Sequence, residues 1–417
     1  MRTHWTRKKL TAGALALLLG AALLQGSPAT AAFPATSTDK IGNWAPSFMQ
    51  WPLKVTWQES IELAQRYDVF AATQTVVRQH VGWMRFANPD IQIFDYMNGG
   101  MVREEEVLAN AFPSAWFAKD AAGNRIRTKE YGDYVMAIWN TGFQTWVAQK
   151  CLSELAFTLY PEGTPYPGDG YDGCLVDAIG TAVLKAGYAS GYPINPATGQ
   201  VFTNAQWLQA ANRLLKKMRD TVGPDVLLIP NGLRSGTEYF DVAAPTGQLL
   251  TYADGGFVEL FARGPKVGIN AYKTEVEWKK DVDMIVDAGK RGKSLFTVTK
   301  VWTAGTQLQK DNWHRFSLGT FLLGTNGLQY FSFLYDDLTT ITPHPWWETD
   351  LGAPLASYFK SGVTYQRNFA NGKVIVNPST ATSAPVWLGG ASYKDLSGAI
   401  VKSVTLAPRT ATILVKV

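Results

Sequence analysis

The sequence predicts an α/β protein in which a (β/α)8 TIM barrel is followed by a small C-terminal antiparallel β-sandwich domain. Short apolar runs alternate with amphipathic helical segments eight times before residue 355, a pattern typical of a parallel sheet covered by helices. Beyond that point, apolar residues recur at every second position between Gly, Pro and Asn turns, as in short antiparallel strands. An open doubly wound sheet is the alternative, but no G-x-G-x-x-G or P-loop motif follows an early strand.

Eight apolar runs are predicted to form the parallel strands. Each run is short and flanked by turn residues or helical segments, which favours a buried strand over a buried helix. A long excursion, residues 98–140, separates the third strand from its helix and exceeds a simple connection. In chain order the predicted strands are FMQW (48–51), DVFAAT (68–73), IQIFDYM (91–97), GCLVD (173–177), VLLIPNG (226–232), GGFVEL (255–260), SLFTVTKVW (294–302) and GLQYFSFLY (327–335).

The segments between these runs are predicted to be helices with recognisable ends. Thr56 is expected to N-cap the first helix, with Glu59 completing a capping box. In the helix before the fourth strand, Val147, Cys151 and Leu155 recur every four residues and form a buried face. The predicted helices cover residues 56–67, 73–88, 141–160, 204–223, 275–293 and 313–325.

The N-terminus has the pattern of a cleavable signal peptide. A basic segment that includes Arg2 and Arg7 precedes the apolar run LTAGALALLLGAALL, and Ala29-Thr30-Ala31 is an A-x-A cleavage site. We therefore expect a secreted protein that has no membrane segment after cleavage. The predicted organisation is a signal peptide (1–31), an N-terminal lead (32–44), the barrel (45–355) and the C-terminal β-domain (356–417).

Charge and cysteine content limit the classes of function that fit this chain. The chain has 39 basic and 34 acidic residues, but four of the basic residues belong to the signal peptide. The mature chain is therefore close to neutral and has no basic run that would indicate nucleic-acid binding. Its two cysteines, Cys151 and Cys174, lie where a helix could face a strand. An oxidising compartment allows a disulfide between them, and two inert buried thiols are the alternative.

Two carboxylates end predicted strands and are the candidate catalytic residues. Asp177 follows the apolar residues Leu175 and Val176, and Glu259 ends the GGFVE segment. Active sites of (β/α)8 barrels lie at the carboxyl ends of the strands, and two carboxylates in one cleft are the minimum machinery for glycoside hydrolysis. A helix N-cap or a turn is the structural alternative for Asp177; glutamate is a poorer cap.

Further polar and aromatic residues near strand ends are predicted to bind a sugar substrate. The 15 tryptophans include several beside polar or Gly-rich segments, where an exposed ring can stack on a sugar face. Core packing is the alternative for any one ring. The predicted substrate-binding residues are Asp95, Trp139, Asn140, Asn231, Lys300, Trp302 and Tyr335.

The sequence lacks the motifs expected of a metal-dependent enzyme or a serine hydrolase. The chain has four histidines and no H-E-x-x-H motif or His-x-His pair, so the sequence predicts no metal site. No G-x-S-x-G segment is present for a serine hydrolase. We expect no cofactor.

Several segments together resemble the hypothetical glycoside hydrolase-like family 15, a bacterial family of TIM-barrel glycoside hydrolases. The resemblance spans most of residues 45–417 and is carried by YDVFAAT, IQIFDYMNGG, WNTGFQTW, YDGCLVD, GGFVEL and YQRNFANGKVIVNPS, in that order. It implies a glycoside hydrolase with an accessory β-domain. The arrangement is also similar to α-galactosidase-like barrels, which implies that Asp177 is the nucleophile and Glu259 the acid/base. The proton donor in those barrels is usually Asp, so Glu259 departs from their pattern.

The expected function is a secreted glycoside hydrolase that cleaves a polysaccharide or oligosaccharide with retention of configuration. Two other functions use the same features. One is a carbohydrate-binding barrel without catalysis, and the other is a transglycosylase with the same two carboxylates. Activity on a polysaccharide panel separates the first, and product analysis at high acceptor concentration separates the second.

Overall fold

The computed structural model describes residues 40–46, 56–72, 80–155, 170–335 and 344–417. The predicted signal peptide and the predicted first strand, FMQW, lie outside these residues. Within them, eight parallel strands alternate with helices and precede an antiparallel sheet. The parallel strands are β1 Trp44–Ala45, β2 Val69–Ala72, β3 Gln92–Asn98, β4 Gly173–Asp177, β5 Leu227–Pro230, β6 Gly255–Val258, β7 Ser294–Lys300 and β8 Gln329–Leu334.

The parallel strands form two sheets in sequence order. The first contains β1 to β5 and the second β6 to β8, and every neighbouring pair within them is parallel. Single parallel bridges connect the sheet edges, Asn231 with Phe257 and Asn43 with Phe331. The predicted succession of parallel strands is therefore confirmed. The first of them lies at Trp44–Ala45, ahead of the predicted segment.

N-terminal capping residues mark the start of the helices. Thr56 and Glu59 form the predicted capping box of α1. The last helix of the parallel region begins earlier than predicted because Thr306 and Gln309 form a capping box ahead of it. The helices are α1 Trp57–Arg66, α2 Val81–Ala87, α3 Glu104–Asn110, α4 Thr141–Leu155, α5 Asn204–Val222, α6 Gly236–Tyr239, α7 Glu275–Lys290 and α8 Gln307–Gly324.

Alternation along the strands separates two apolar layers. One buried cluster takes residues from all eight parallel strands, among them Trp44, Phe94, Leu175 and Phe257. The other strand face packs against the helices in a larger cluster that contains Cys174 and Cys151. Residues two positions apart in a strand point the same way, so Asp177 points to the same side as Leu175.

A disulfide joins Cys151 of α4 to Cys174 of β4, so the bridge is present and the two-thiol alternative is wrong. The two Cα atoms are 6.2 Å apart and 23 positions separate the residues in sequence. The bridge therefore connects the strand that ends in Asp177 to the helix that covers it.

The C-terminal region is an antiparallel sheet, as predicted. Six strands pair in the order β9-β10-β11-β16-β13-β14, and β12 pairs with β15. No helix in the described part of the chain is long and apolar enough to cross a membrane. The strands are β9 Phe359–Ser361, β10 Thr364–Asn368, β11 Gly372–Asn377, β12 Val386–Trp387, β13 Tyr393–Asp395, β14 Ile400–Val401, β15 Ser403–Val404 and β16 Thr410–Lys416.

The C-terminal sheet packs closely on α8. A Cβ added to Gly319 would lie 2.9 Å from the Cβ of Ala411 and 3.0 Å from Cγ2 of Val376, so only glycine allows this approach. The buried guanidinium of Arg367 in β10 donates to the carbonyls of Leu322 and Leu323, each at 3.1 Å. These are carbonyls that the end of α8 leaves without helical partners.

Candidate active site

Asp177 is the last residue of β4, and its carboxylate is held by three donors. Oδ1 accepts hydrogen bonds from Asn231 Nδ2 at 2.7 Å and from the Ala178 amide at 2.6 Å, and Oδ2 accepts one from the hydroxyl of Tyr96. The next helical turn, Thr181–Leu184, is preceded by Gly180 at its N-cap. Asp177 is therefore not the cap of that helix.

Glu259 follows β6, two residues after the inward-facing Phe257, and so points to the same side of the sheet. Its Oε1 accepts a hydrogen bond from Lys300 Nζ, and the pair is an ion pair. Its Oε2 lies 3.5 Å from Asn231 Nδ2. The side chain of Lys300 is 2% exposed, while that of Glu259 is 39% exposed. Glu259 is thus the part of this pair that a ligand can reach.

Asn231 connects the two carboxylates. It follows β5, and its backbone amide donates to the carbonyl of Val176 at 2.8 Å, which fixes the residue beside the end of β4. From there its Nδ2 atom contacts both Asp177 and Glu259. The sequence prediction that strand-end residues converge is met by Asp177, Asn231, Glu259 and Lys300.

The surroundings shift the pKa values of the two carboxyl groups in opposite directions. Burial raises the pKa of Asp177, and the negative charge of Glu259 raises it further, against the hydrogen bond from Tyr96. Desolvation would also raise the pKa of Glu259, but the ammonium of Lys300, together with Asn231 and the charge of Arg234, outweighs it, and the pKa of Glu259 is lowered. The site therefore favours the charged form of Glu259 and disfavours that of Asp177, each relative to its ordinary carboxyl group.

Trp302 borders the same ion pair. The Nζ atom of Lys300 lies 4.6 Å from the centroid of its indole ring, a cation–π distance. Lys300 and Trp302, both predicted to bind substrate, therefore lie next to each other, and Lys300 contacts Glu259.

Other predicted substrate-binding residues have different contacts. Asp95 is fully buried, and since it precedes Tyr96 by one residue it points to the helix side of the sheet. The Oδ1 atom of Asn140 caps α4 by accepting from the amides of Gly142 and Phe143. The structure does not bring the side chains of Asp95 and Asn140 to the carboxylate pair.

Two aromatic residues that were predicted to bind substrate, Tyr335 and Trp139, also pack away from the carboxylate pair. The hydroxyl of Tyr335 donates to Asp311 and contacts His314, both on α8. Tyr335 follows the inward-facing Leu334, so alternation turns it towards the helices. The ring of Trp139 is partly buried against Phe202, with ring centroids 4.5 Å apart. These contacts are those of core packing rather than of the carboxylate pair.

Tyr96 is the site residue that sequence reasoning missed. Phe94 lies in the inner apolar cluster, and Tyr96, two residues later, necessarily faces the same way. The sequence signal was the alternation within IQIFDYM, which selects Tyr96 over Asp95. Burial and the charge of Asp177 raise the pKa of the Tyr96 phenol well above its usual range, so it remains a hydrogen-bond donor. Among the described residues no cluster of three His, Cys, Asp or Glu side chains could hold a metal ion.

Comparisons with known proteins give a family and several structural neighbours. The sequence profile described as hypothetical glycosyl hydrolase family 15 matches residues 95–373, which include both carboxylates. A search of curated proteins gives no match.

The similar solved structures include three carbohydrate-active enzymes. An isomalto-dextranase of Arthrobacter globiformis T6, complexed with panose, is 15% identical over 93% of this chain and 76% of its own, with a TM-score of 0.47. A xylosidase from Aspergillus niger is 11% identical over 92% and 65%, with a TM-score of 0.43. A GH31 α-xylosidase from a soil metagenome, complexed with xylose, is 12% identical over 92% and 64%, with a TM-score of 0.44.

Proposed function

The chain belongs to hypothetical glycosyl hydrolase family 15 and is a glycosidase, and we propose that Asp177 and Glu259 are its catalytic pair. The observation that carries this proposal is the contact of one amide nitrogen, Asn231 Nδ2, with both carboxylates. Two carboxylates held this close can act on opposite sides of one glycosidic bond, one as the proton donor and the other towards the anomeric carbon.

The spacing of the pair supports a retaining mechanism. Asn231 Nδ2 lies 2.7 Å from Asp177 Oδ1 and 3.5 Å from Glu259 Oε2, so the separation of these two oxygens cannot exceed the sum, about 6.2 Å. Retaining enzymes keep their carboxyl groups about 5–5.5 Å apart, while inverting enzymes leave about 6.5–9.5 Å for a water molecule. This upper limit on the oxygen–oxygen distance favours direct attack by a carboxylate, which forms a glycosyl-enzyme intermediate.

Asp177 is the nucleophile and Glu259 the acid/base in this proposal. Three donors orient Asp177, while the side chain of Glu259 is 39% exposed beside a buried lysine. The reactive form needs an ionised Asp177 and a protonated Glu259, whereas the ligand-free site raises the pKa of Asp177 and lowers that of Glu259. Substrate binding would therefore have to weaken the contact between Glu259 and Lys300.

The proposed scaffold of this site is a closed eight-stranded barrel. Support comes from the two single bridges that connect the sheet edges, Asn231–Phe257 and Asn43–Phe331. The apolar cluster that takes residues from all eight strands gives further support, because side chains fill the interior of barrels of this size. The carboxyl ends of the strands would then surround Asp177 and Glu259.

The proposed substrate is a polysaccharide or oligosaccharide outside the cell. Support for secretion comes from the signal-peptide pattern of residues 1–31. The disulfide between Cys151 and Cys174 adds to this, since disulfides persist in oxidising compartments.

The test is a pair of isosteric substitutions combined with product stereochemistry. Asp177→Asn and Glu259→Gln should each leave the fold intact by circular dichroism and reduce turnover of any cleaved glycan by several orders of magnitude. Proton NMR of the first-formed product should show the anomeric configuration of the substrate. Near-wild-type turnover in either variant would remove that residue from the mechanism, and an inverted product would exclude the covalent route.

The same two variants separate the roles of the carboxylates. Azide can replace a missing nucleophile and yields a glycosyl azide of inverted configuration, whereas it replaces a missing acid/base with retention. We expect the inverted azide from Asp177→Asn and the retained azide from Glu259→Gln. The reverse pattern would exchange the roles.

A further inference from the structure

A cavity of about 430 Å³ lies between two loop segments, residues 128–131 and 185–188. The first segment belongs to the excursion that follows β3, and the second follows β4. The Lys129 amide donates to the Tyr188 carbonyl at 2.9 Å, and Thr128 and Ala189 form an antiparallel bridge. The cavity therefore has a fixed backbone wall, and its volume is that of a small-molecule site.

Two tyrosines of this wall lie within electrostatic reach of the catalytic pair. Partial desolvation, then the charges of Glu130, Glu259 and Asp177, raise the pKa of Tyr131 to about 12. Burial and the charge of Asp177, with a further contribution from Glu259, raise the pKa of Tyr188. The two segments that form this wall also follow β3 and β4, the strands that carry Tyr96 and Asp177 near their carboxyl ends, so the cavity lies at the same edge of the sheet as the two carboxylates that the proposed mechanism uses.

The tip of the excursion also contacts the loop beyond β6. Glu130 accepts a hydrogen bond from Lys266 Nζ at 3.2 Å, and Lys266 lies seven positions after Glu259. This contact joins the excursion to the loop beyond β6 next to Tyr131, a residue that is 66% exposed. An exposed tyrosine ring in such a position offers an apolar face and a hydroxyl donor to the same ligand.

We infer that this cavity is a sugar subsite beside the catalytic pair, in which a neutral pyranose ring stacks on Tyr131 and contacts Tyr188. The inference rests on the proposed function, because it places the next sugar of the same substrate. A neutral ring is favoured over a uronate for two reasons. Lys185 at the cavity wall is already paired with Glu238 at 2.8 Å, and Asp177 and Glu259 would repel an added carboxylate.

Binding measurements in the Asp177→Asn variant test the subsite without turnover. The probes are isomaltotriose, xylotriose, β-1,4-galactotriose and trigalacturonate, followed by saturation-transfer NMR and calorimetry. At least one neutral trisaccharide should bind more tightly than trigalacturonate. Adding Tyr131→Ala should weaken that binding about tenfold, while Tyr131→Phe, which keeps the ring, should stay close to the parent.

The matched control is Trp387→Ala. Trp387 has a similarly exposed ring, at 67%, but lies on β12 of the C-terminal sheet, and its removal should leave the affinity unchanged. Equal affinity with and without the Tyr131 ring would overturn the inference. So would tighter binding of trigalacturonate, or no binding of any probe.

The binding result and the catalytic result are independent. If Asp177→Asn abolishes turnover but Tyr131→Ala binds like its parent, only the subsite fails. If Asp177→Asn keeps full activity, the catalytic assignment fails whatever the binding shows.

Discussion

Lys300 donates to Glu259 from the neighbouring strand, and the lysine is almost entirely enclosed while the glutamate remains accessible. The ammonium therefore acts on the glutamate at close range. It is the main influence that lowers the pKa of Glu259, which desolvation alone would raise.

Lys300→Met should move one limb of the pH–activity profile. Without the ammonium, the pKa of Glu259 rises. If Glu259 is the proton donor, activity is lost as it deprotonates, so the alkaline limb of kcat/KM should shift to higher pH. Profiles of wild type and variant measured on one substrate decide this.

The acidic limb of the same pH–activity profile tests the opposite role for Glu259. An upward shift of the acidic limb instead would show that Glu259 acts in its ionised form and would overturn the proposed roles. Lys300→Arg keeps the positive charge and is the matched control, for which both limbs should stay near their wild-type positions.

Tyr96→Phe should slow catalysis without preventing folding. The variant removes the donor to Asp177 Oδ2, and a hydrogen bond to a charged group contributes about 1.5–3 kcal/mol. We expect kcat to fall roughly 10- to 100-fold with a smaller change in KM. Tyr67→Phe is the control, because the buried Tyr67 hydroxyl has no hydrogen-bond partner within the described part of the chain. An unchanged kcat in Tyr96→Phe would show that this bond does not matter in the transition state.

Loss of the disulfide should reduce stability more than activity. The bridge closes a loop of 23 positions, and constraining the unfolded chain in this way contributes about 3 kcal/mol. Urea unfolding of the double variant Cys151→Ala, Cys174→Ala should show this loss, with turnover at low temperature largely kept. Thiol titration of the unfolded, unreduced wild type should detect no free thiol. Two titratable thiols would contradict the bridge.

Deleting residues 356–417 should give an aggregating protein rather than a smaller active one. The deletion would uncover the face of α8 around Gly319, which Val376 and Ala411 now cover, and would leave the carbonyls bound by Arg367 exposed. Expression followed by size-exclusion chromatography measures the outcome. A soluble, fully active truncation would show that the C-terminal sheet is dispensable for the fold.

The central site could be predicted from the sequence because parallel strands end at a common edge. Asp177, Asn231, Glu259 and Lys300 each follow or end an apolar run, and their meeting needs only the strand order and the period-two alternation. The capping box at Thr56 was likewise visible in local sequence. These features depend on short-range rules.

The positions of the other site residues depend on strand register or on tertiary contacts. The prediction for Asp95 rests on its place near the end of a strand, but a shift of one residue decides whether Asp95 or Tyr96 faces the pair. The prediction for Asn140 rests on its place at the end of the excursion, although an asparagine ahead of a helix is equally suited to capping. The place of Tyr131 at the cavity wall comes from the same long excursion, whose course no local pattern fixes.

The contact between Glu130 and Lys266 makes the joining of two loops depend on the surrounding solution. Both side chains are well over half exposed, and an exposed ion pair stabilises by about 1 kcal/mol or less. Dissolved ions screen such a pair strongly once the Debye length falls to about 10 Å, at roughly 0.1 M salt. In fresh water this pair would therefore hold the tips of the two loops together more firmly than in brine.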